Sequence, residues 1–278
     1  MTLLFFAAAL AFLVISCCAG VLYWYESLNS PEECIPAPRP GIFFCLFHYG
    51  ATLASYALCI ALAVPGLFLR RKPALKTGFA AALPPLILIH GLYNNAGCWL
   101  YMARILSKAG YNVSTYVYSS MFVSLDGILR GLDEHVATVQ RLTGQKPVLI
   151  GHSLGGLLSR KWLAEYNGSI CGIITLGTPH RGSKMAVFGL DALARSIRTD
   201  GSLVASLRSL APASNLPCTS LVSPGDGVVL PHSCLIPPQG WKMRLTPPLP
   251  HFAMLFSPRT AAILLEELRA IHAGADAI

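Results

Sequence analysis

Two long uncharged stretches set the amino-terminal part of the chain apart. Residues 3–25 and residues 41–69 contain no charged side chain. Each is long enough to cross a hydrocarbon core of about 30 Å as a helix, which takes roughly 20 residues. The polar, proline-rich sequence between them, NSPEECIPAPRP, suits a turn. The pattern therefore predicts a hairpin of two transmembrane helices, at about 3–24 and 43–69, in a membrane region that covers residues 1–76.

From residue 84 onward, short apolar runs alternate with amphipathic segments. The runs that suit buried strands are residues 86–89, 111–118, 147–150, 170–176, 219–222 and 241–245. Between them, apolar side chains recur at spacings of three and four, which is typical of helices that bury one face. The last predicted helix carries Ala261, Leu264 and Leu268 on such a face. Alternating strands and helices predict an α/β domain with a mostly parallel central sheet flanked by helices.

One segment interrupts this alternation. Residues 185–210 are apolar and helix-like, with Val187, Phe188, Leu190 and Leu193 among them. An insertion over the carboxyl ends of parallel strands is placed where it can cover a substrate. We therefore predict a small helical cap at about residues 183–212, within a catalytic domain that covers residues 77–278.

Composition supports a membrane location. Charged residues make up only 12% of the chain and its mean hydropathy is +0.55, whereas soluble domains carry about 25% charged residues. The second uncharged stretch is followed by four basic residues, and the loop before it holds one, Arg39; the four are Arg70, Arg71, Lys72 and Lys76. Basic residues favour the cytoplasmic side, which places the catalytic domain there. A cleaved signal peptide, or a lipoprotein box at residues 14–17, fits less well because the amino end lacks positive charge.

The remaining charges and the cysteines exclude several functions. From residue 77 onward there are 16 Lys and Arg against 10 Asp and Glu, which suits a domain beside anionic lipid head groups. No basic and aromatic pattern points to nucleic acid. The nine cysteines show no metal-ligand spacing, and we expect no metal or other cofactor. They are expected to be buried and reduced; with the opposite orientation, Cys218 and Cys234 become disulfide candidates.

The candidate chemistry begins in PVLIGHSLGGLLSRKW, residues 147–162. Here Ser153 lies where a predicted strand meets a predicted helix, inside Gly-x-Ser-x-Gly. This strand–turn–helix arrangement exposes a serine hydroxyl above the sheet on a strained turn. Gly151 and Gly155 are required because a β-carbon would collide with the neighbouring strand or helix. The sequence therefore predicts that Ser153 is a nucleophile, although a serine before a helix is also a common cap.

A nucleophilic serine needs a base and a group that orients it. On this kind of elbow the acid and then the histidine follow the serine along the chain. Asp226 comes after the predicted strand 219–222, and His251 precedes the last helix. We therefore predict a triad of Ser153, Asp226 and His251.

Other histidines and aspartates fit these two roles less well. His232 follows Asp226 too closely to return over the serine, and His152 is expected to point away from Ser153. His180 is expected to be a structural hydrogen-bonding residue near the site. Asp191 and Asp200 fall in the predicted cap and are interpreted as solvated surface residues.

An oxyanion hole needs two backbone N–H donors. One is expected at Leu154, directly after the nucleophile. The other is expected at Leu92, after the first strand of the domain, where Gly91 lets the backbone turn inward. An ordinary turn at His90 and Gly91 is the alternative interpretation.

Five segments carry a family resemblance, in this order along the chain: LILIHG, GHSLGG, LGTPHRGS, SPGDGVV and PHFAMLFSP. From about residue 84 to residue 272 the chain resembles the α/β-hydrolase superfamily, and within it the bacterial lipase and esterase group. The resemblance implies the α/β-hydrolase fold and hydrolysis of a carboxylic ester through an acyl-enzyme. Residues 227–250 contain no acidic side chain, so the calcium site of some such lipases is expected to be absent.

The first functional hypothesis is thus a membrane-anchored serine hydrolase that acts on a lipid or another apolar acyl ester, with the bilayer as its partner. An acyltransferase or a thioesterase would use the same triad, because the pocket sets the substrate. The competing class is a non-catalytic membrane scaffold with a hydrolase fold. The hairpin is interpreted as an anchor only. The head group, the acyl length and the oligomeric state are left open.

Overall fold

The structure is a computed structural model, and it does not describe the whole chain. The described residues are 14, 17–18, 20–26, 28–29, 35, 41–68, 83–121, 123–189, 191–208, 210 and 216–275. Most of the first predicted span and all four basic residues at 70–76 lie outside them. The hairpin and the cytoplasmic orientation therefore stay predictions.

A six-stranded, fully parallel sheet forms the centre of the domain, with strand order β2-β1-β3-β4-β5-β6. The strands are β1 (Leu86–Ile89), β2 (Val113–Tyr116), β3 (Val148–His152), β4 (Gly172–Leu176), β5 (Cys218–Val222) and β6 (Lys242–Leu245). The inner strands β1, β3, β4 and β5 are buried along their whole length. A parallel sheet needs helices on both faces, so this arrangement explains the continuous apolar runs of the sequence.

Seven α-helices accompany the sheet. They are α1 (Ile42–Phe68), α2 (Leu100–Lys108), α3 (Leu125–Thr143), α4 (Leu154–Tyr166), α5 (Ala192–Ser196), α6 (Ser202–Arg208) and α7 (Pro258–Ala275) among the described residues. One apolar cluster joins the sheet to α3 and α4 and includes Leu132 and Trp162. A second cluster joins it to α2 and α7 and includes Met102 and Leu264. The core thus lies on both faces of the sheet.

Two outer elements differ from the sequence predictions. The strand predicted at 111–118 is shorter, Val113–Tyr116, because Tyr118 turns aside and its hydroxyl donates to the His90 carbonyl at 2.8 Å. The predicted small helical cap is divided into short elements. It consists of the 3₁₀ turn Lys184–Phe188 followed by the short helices α5 and α6, since Gly189 and Gly201 interrupt the apolar pattern.

The amino-terminal region contributes two described helical pieces. Residues 20–26 are helical, and α1 agrees with the second predicted span. Among the described residues, the stretch Leu46–Phe68 of α1 is the one helix long and apolar enough to cross a membrane.

Helix α1 packs along the α/β domain. The side-chain amide of Asn95 donates to the Ala63 carbonyl at 2.9 Å. A β-carbon at Gly97 would lie 1.9 Å from the Leu62 carbonyl oxygen, so the backbones are in direct contact. Further towards the helix start, the Tyr56 and Phe252 rings lie 4.7 Å apart. One face of α1 therefore covers the domain over several turns.

Cys218 and Cys234, the conditional disulfide candidates, are both free and buried. The Cys234 thiol donates to the Arg181 carbonyl at 3.8 Å. They behave as small buried side chains in this fold.

Candidate active site

Ser153 occupies a strained turn between β3 and α4. Its backbone has φ 55° and ψ −122°, a region that L-residues rarely adopt and that costs of order 1–3 kcal/mol. The Ser153 N–H donates to the Leu176 carbonyl of β4 at 2.9 Å, and Thr178 Oγ1 donates to the Ser153 carbonyl at 3.0 Å. These bonds to the neighbouring strand and loop hold the serine at the carboxyl edge of the sheet.

The two elbow glycines lie where backbone meets backbone. A β-carbon at Gly151 would lie 2.4 Å from the Gly156 nitrogen, and one at Gly155 would lie 2.2 Å from the Ile89 carbonyl oxygen. Contacts this short require the strand or the helix to move. The elbow therefore cannot close with any larger residue at either position.

Asp226 and His251 form a buried hydrogen-bonded pair. His251 Nδ1 lies 2.6 Å from Asp226 Oδ2, and both side chains are almost fully buried. The other carboxylate oxygen, Oδ1, accepts from the backbone N–H groups of Val228 and Val229, both at 2.9 Å. Because both carboxylate oxygens are bonded, Asp226 is fixed in position and His251 carries its ring proton on Nδ1.

The surroundings of Asp226 keep it ionised. Burial alone would raise the pKa of this carboxyl, but the charge and hydrogen bond of His251 and the backbone donors of Val229 and Val228 outweigh it, so the pKa is lowered from its ordinary value. An ionised carboxylate stabilises a histidine that accepts a proton on its other nitrogen.

That other nitrogen, His251 Nε2, is buried and has no hydrogen-bond partner among the described residues. It is thus available as a base. In the absence of substrate, catalytic hydrogen bonds are often long or poorly aligned, so a bond between Nε2 and the Ser153 hydroxyl is expected to form when substrate binds.

The loop that holds Gly91 and Leu92 lies against Ser153. A β-carbon at Gly91 would lie 3.0 Å from the Ser153 β-carbon, so the chain passes directly beside the serine. Leu154 begins α4, and its N–H therefore has no acceptor within the helix. Leu154 is therefore adjacent to Ser153 in the chain, and the residue before Leu92 lies beside Ser153 in space.

The alternative histidines occupy other positions. His232 Nε2 donates to the backbone carbonyl of Asp226 at 3.0 Å and does not reach the carboxylate. His180 Nε2 lies 3.1 Å from Ser220 Oγ and 3.3 Å from Thr175 Oγ1. Burial, and then the charges of Arg160 and Arg181, lower the pKa of His180 well below its ordinary value. His180 is therefore a neutral hydrogen-bonding residue beneath the site.

His152 lies against His251, a contact that the sequence did not suggest. The two ring centres are 4.6 Å apart, and His152 Nε2 donates to the His251 carbonyl at 3.3 Å. Burial, followed by the charge of His251, lowers the pKa of His152 to about 3. A neutral ring can thus support His251 without competing for its proton.

The interpretation of Asp191 as a solvated surface residue was wrong. Its Oδ1 accepts from the Ala194 N–H at 2.8 Å, which caps α5, and its Oδ2 accepts from the Tyr93 hydroxyl. Tyr93 follows Leu92 and has a positive φ of 56°. Asp191 therefore joins the cap to the loop that carries Leu92, whereas Asp200 is exposed, as expected.

Two further positions near the pair were missed from the sequence. A β-carbon at Gly177, which has φ +54°, would lie 3.0 Å from Asp226 Oδ2 and 3.1 Å from His251 Nδ1. Ser223 Oγ donates to the Leu249 carbonyl at 2.6 Å and accepts from the Leu249 N–H at 2.8 Å, which joins the loop of the acid to the loop of the histidine. The segments LGTPHRGS and SPGDGVV contain these residues, but only the three-dimensional contacts reveal their effect.

Within the described residues, no cluster of three or more His, Cys, Asp or Glu side chains could hold a metal ion. The groups brought together at the sheet edge are a strained serine and a buried aspartate–histidine pair, with the Gly91 loop beside the serine. This set suits nucleophilic attack on a carbonyl carbon.

Part of the chain is similar to known hydrolases and lipases. Residues 84–205 match a family model described as the alpha/beta hydrolase fold. A triacylglycerol lipase from Burkholderia plantarii is 32% identical over 222 residues, which are 63% of this chain and 62% of that protein. One from Pseudarthrobacter phenanthrenivorans is 33% identical over 188 residues, 53% of this chain and 58% of that protein. The chain thus spans about three fifths of the length of these curated relatives.

A solved structure supports the fold. Mature BlEst2, a lipase from Bacillus licheniformis, superimposes with a TM-score of 0.59 over 70% of this chain and 95% of its own, at 19% identity. At that identity the likeness establishes the fold alone.

Proposed function

We propose that this chain, a member of the α/β-hydrolase superfamily, is a serine hydrolase that cleaves carboxylic esters through an acyl-enzyme. The observation that carries the proposal is the buried pair of Asp226 and His251, at 2.6 Å, beside a serine on a strained elbow. A relative that is a triacylglycerol lipase supports the same reaction class.

In the proposed reaction, Ser153 Oγ attacks the ester carbonyl carbon and His251 Nε2 takes the hydroxyl proton. The carbonyl oxygen becomes an oxyanion, which the N–H groups of Leu92 and Leu154 stabilise. The tetrahedral intermediate then expels the alcohol, which receives the proton from His251. Water, activated by His251 in turn, attacks the acyl-enzyme and releases the acid and free Ser153.

Asp226 has an orienting and electrostatic role in this scheme. Its ionised carboxylate fixes the Nδ1 proton of His251 and stabilises the imidazolium that forms at each step. The lowered pKa of Asp226 favours the charged form that this role requires. It carries no proton at neutral pH and is not itself a base.

The proposed substrate is a lipid or another apolar acyl ester, and the proposed location is a membrane. The uncharged helix α1 and the apolar stretch at residues 3–25 support a two-span anchor at 1–76. The basic residues at 70–76 support a cytoplasmic catalytic domain over 77–278. Thioester cleavage, or acyl transfer to an alcohol in place of water, would use the same residues.

A fluorophosphonate probe tests the nucleophile, because it phosphorylates activated serines irrespective of the acyl substrate. Detergent-solubilised wild-type protein is expected to be labelled, and Ser153→Ala and His251→Ala are expected to lose labelling while they keep the wild-type melting temperature. Ser202→Ala, an exposed serine at the start of α6, is the matched control and should be labelled like wild type.

Folded wild-type protein that stays unlabelled, while a known serine esterase is labelled in parallel, would contradict the proposal and favour the scaffold hypothesis. Labelling that survives in Ser153→Ala would assign the nucleophile to another residue. With an ester and an added alcohol, the ratio of free acid to new ester then separates hydrolysis from acyl transfer.

A further inference from the structure

A cavity of about 580 Å³ lies between the amino-terminal helices and the loops that carry the aspartate–histidine pair. Residues 20–26 contribute Val21 and Trp24, α1 contributes Leu46 and Tyr56, and the α/β domain contributes Val228 and His251. A volume of this size is typical of a site for a small organic ligand. The six lining residues just named lie outside residues 84–205, the region that matches the family model.

The amino-terminal walls are docked onto the site loops. The Tyr23 ring stacks on His48 at 5.0 Å and meets the His232 ring edge-on at 5.6 Å. Glu26 is buried and pairs with Lys184 at the base of the cap. The Cε1 atom of His48 would lie 3.0 Å from a β-carbon at Gly225, the residue before Asp226. These contacts make the helices a structural part of the site.

The lining determines the chemistry of the occupant. None of the described lining residues is an aspartate, glutamate, lysine or arginine, so a phosphate or carboxylate in the cavity would have no oppositely charged partner. Burying such a charge without a partner is costly. An unbranched hydrocarbon chain has no such requirement, and it gains free energy with each methylene group removed from water.

The cavity reaches the predicted triad at His251. Phe252, the next residue, also lines it, and its ring meets the His251 ring edge-on at 5.1 Å. From the cap, which was expected to cover the acyl chain, Met185 lines the cavity. The principal apolar walls come instead from residues 20–26 and α1.

We infer that this cavity binds the acyl chain of the ester, so that the amino-terminal helices are the acyl-binding wall as well as an anchor. The inference rests on the proposed ester hydrolysis and names the part of the substrate that the amino-terminal region recognises. Exposed apolar side chains on α1, among them Ile60, Val64 and Leu67, place a lipid-compatible surface next to this wall. A bilayer lipid is thus the source of the chain to which the geometry points.

Two glycines permit a matched test. Gly20 lines the cavity, whereas Gly50 lies on α1 outside the lining, and a β-carbon at either would meet nothing within 4 Å. Gly20→Phe should fill the cavity, and Gly50→Phe adds the same side chain elsewhere. Both replace a poor helix former. Thr52→Phe, which enters the cavity from α1, is measured alongside and decides the outcome if Gly20→Phe does not fold.

The measurement is kcat/KM for p-nitrophenyl laurate divided by that for the butyrate, with the full-length, detergent-solubilised protein. Each buried methylene contributes about a four-fold preference, so loss of two or more should lower the ratio at least ten-fold in Gly20→Phe and Thr52→Phe. Gly50→Phe should keep the wild-type ratio within two-fold. An unchanged ratio in the folded cavity variants would overturn the inference. Failure of the proposed function looks different, because wild type would then cleave neither ester.

Discussion

The elbow around Ser153 and the cavity wall formed by residues 20–26 and α1 differ in how strictly their structure restricts the residue type at each position. At the elbow, β-carbons on Gly151 and Gly155 would meet backbone atoms at 2.4 and 2.2 Å. In the wall, a β-carbon on Gly20 would meet nothing within 4 Å. The elbow tolerates one residue type at fixed positions, whereas many apolar sequences would build the wall. Candidate catalytic residues can therefore be predicted from a sequence motif, whereas substrate preference cannot.

Removal of the Asp226 charge, which the reaction proposed for the elbow serine requires, should have the largest effect. Asp226→Asn keeps the shape of the side chain but cannot stabilise the imidazolium, and it should lower kcat/KM roughly 10³- to 10⁴-fold for short and long esters alike. Asp200→Asn, an exposed aspartate, is the control and should be unaffected. A loss confined to long-chain esters would mean that Asp226 affects binding of the acyl chain rather than the catalytic step.

A backbone clash at the elbow should have the next largest effect. Gly155→Ala places a β-carbon 2.2 Å from the Ile89 carbonyl oxygen, and a displacement of about 1 Å in catalytic geometry costs roughly 100-fold in rate. We expect at least that loss of fluorophosphonate labelling rate, together with a lower melting temperature. The control is Gly274→Ala in α7, whose β-carbon would meet nothing within 4 Å; it should change neither the labelling rate nor the melting temperature. Normal labelling of Gly155→Ala would show that the elbow can adjust to a β-carbon without loss of its geometry.

A change where α1 meets the α/β domain should separate acyl-chain binding from catalysis. Gly97→Ala places a β-carbon 1.9 Å from the Leu62 carbonyl oxygen of α1, so the helix must move away from the domain. The laurate-to-butyrate ratio of kcat/KM should fall about four- to sixteen-fold, since one or two methylenes lose their burial, while butyrate hydrolysis persists. Gly50→Ala is the control on the open face of α1. Equal losses for both esters would mean that the wall also holds the catalytic loops.

The smallest effect concerns acid stability of the α/β domain. Burial lowers the pKa of His135 to about 4, against an ordinary value of 6.5, so the unfolded chain binds the proton more readily. Its contribution to stability is complete above pH 6.5 and is lost as the pH falls towards 4. His135→Gln should reduce the slope of unfolding free energy against pH by up to about 1.4 kcal/mol per pH unit between pH 6 and 4.5.

Denaturant melts at several pH values measure that slope. An unchanged slope would mean that other buried histidines, such as His90 with a pKa lowered to about 4, account for the acid sensitivity.

The difference between the regions also explains how far the sequence could be interpreted. All six strands were predicted near their observed positions. The inner strands β1, β3, β4 and β5 gave the clearest signal, because strands buried on both faces require continuous apolar runs. The elbow glycines followed from local backbone geometry. The contact between His152 and His251, the bond from Tyr93 to Asp191 and the position of α1 depend on distant segments that meet only in three dimensions. An uncharged helix has the same pattern whether its neighbours are lipid or protein.

Helix α1 has a practical consequence for producing this protein. Cys59 of α1 belongs to the same apolar cluster as Trp99 and Met102, and Gly97 touches the helix backbone. A shortened form that begins after α1, as is commonly made to improve solubility, would expose this surface to water and invite aggregation. It would also lack one side of the cavity, so its preference among esters should differ from that of the full-length protein.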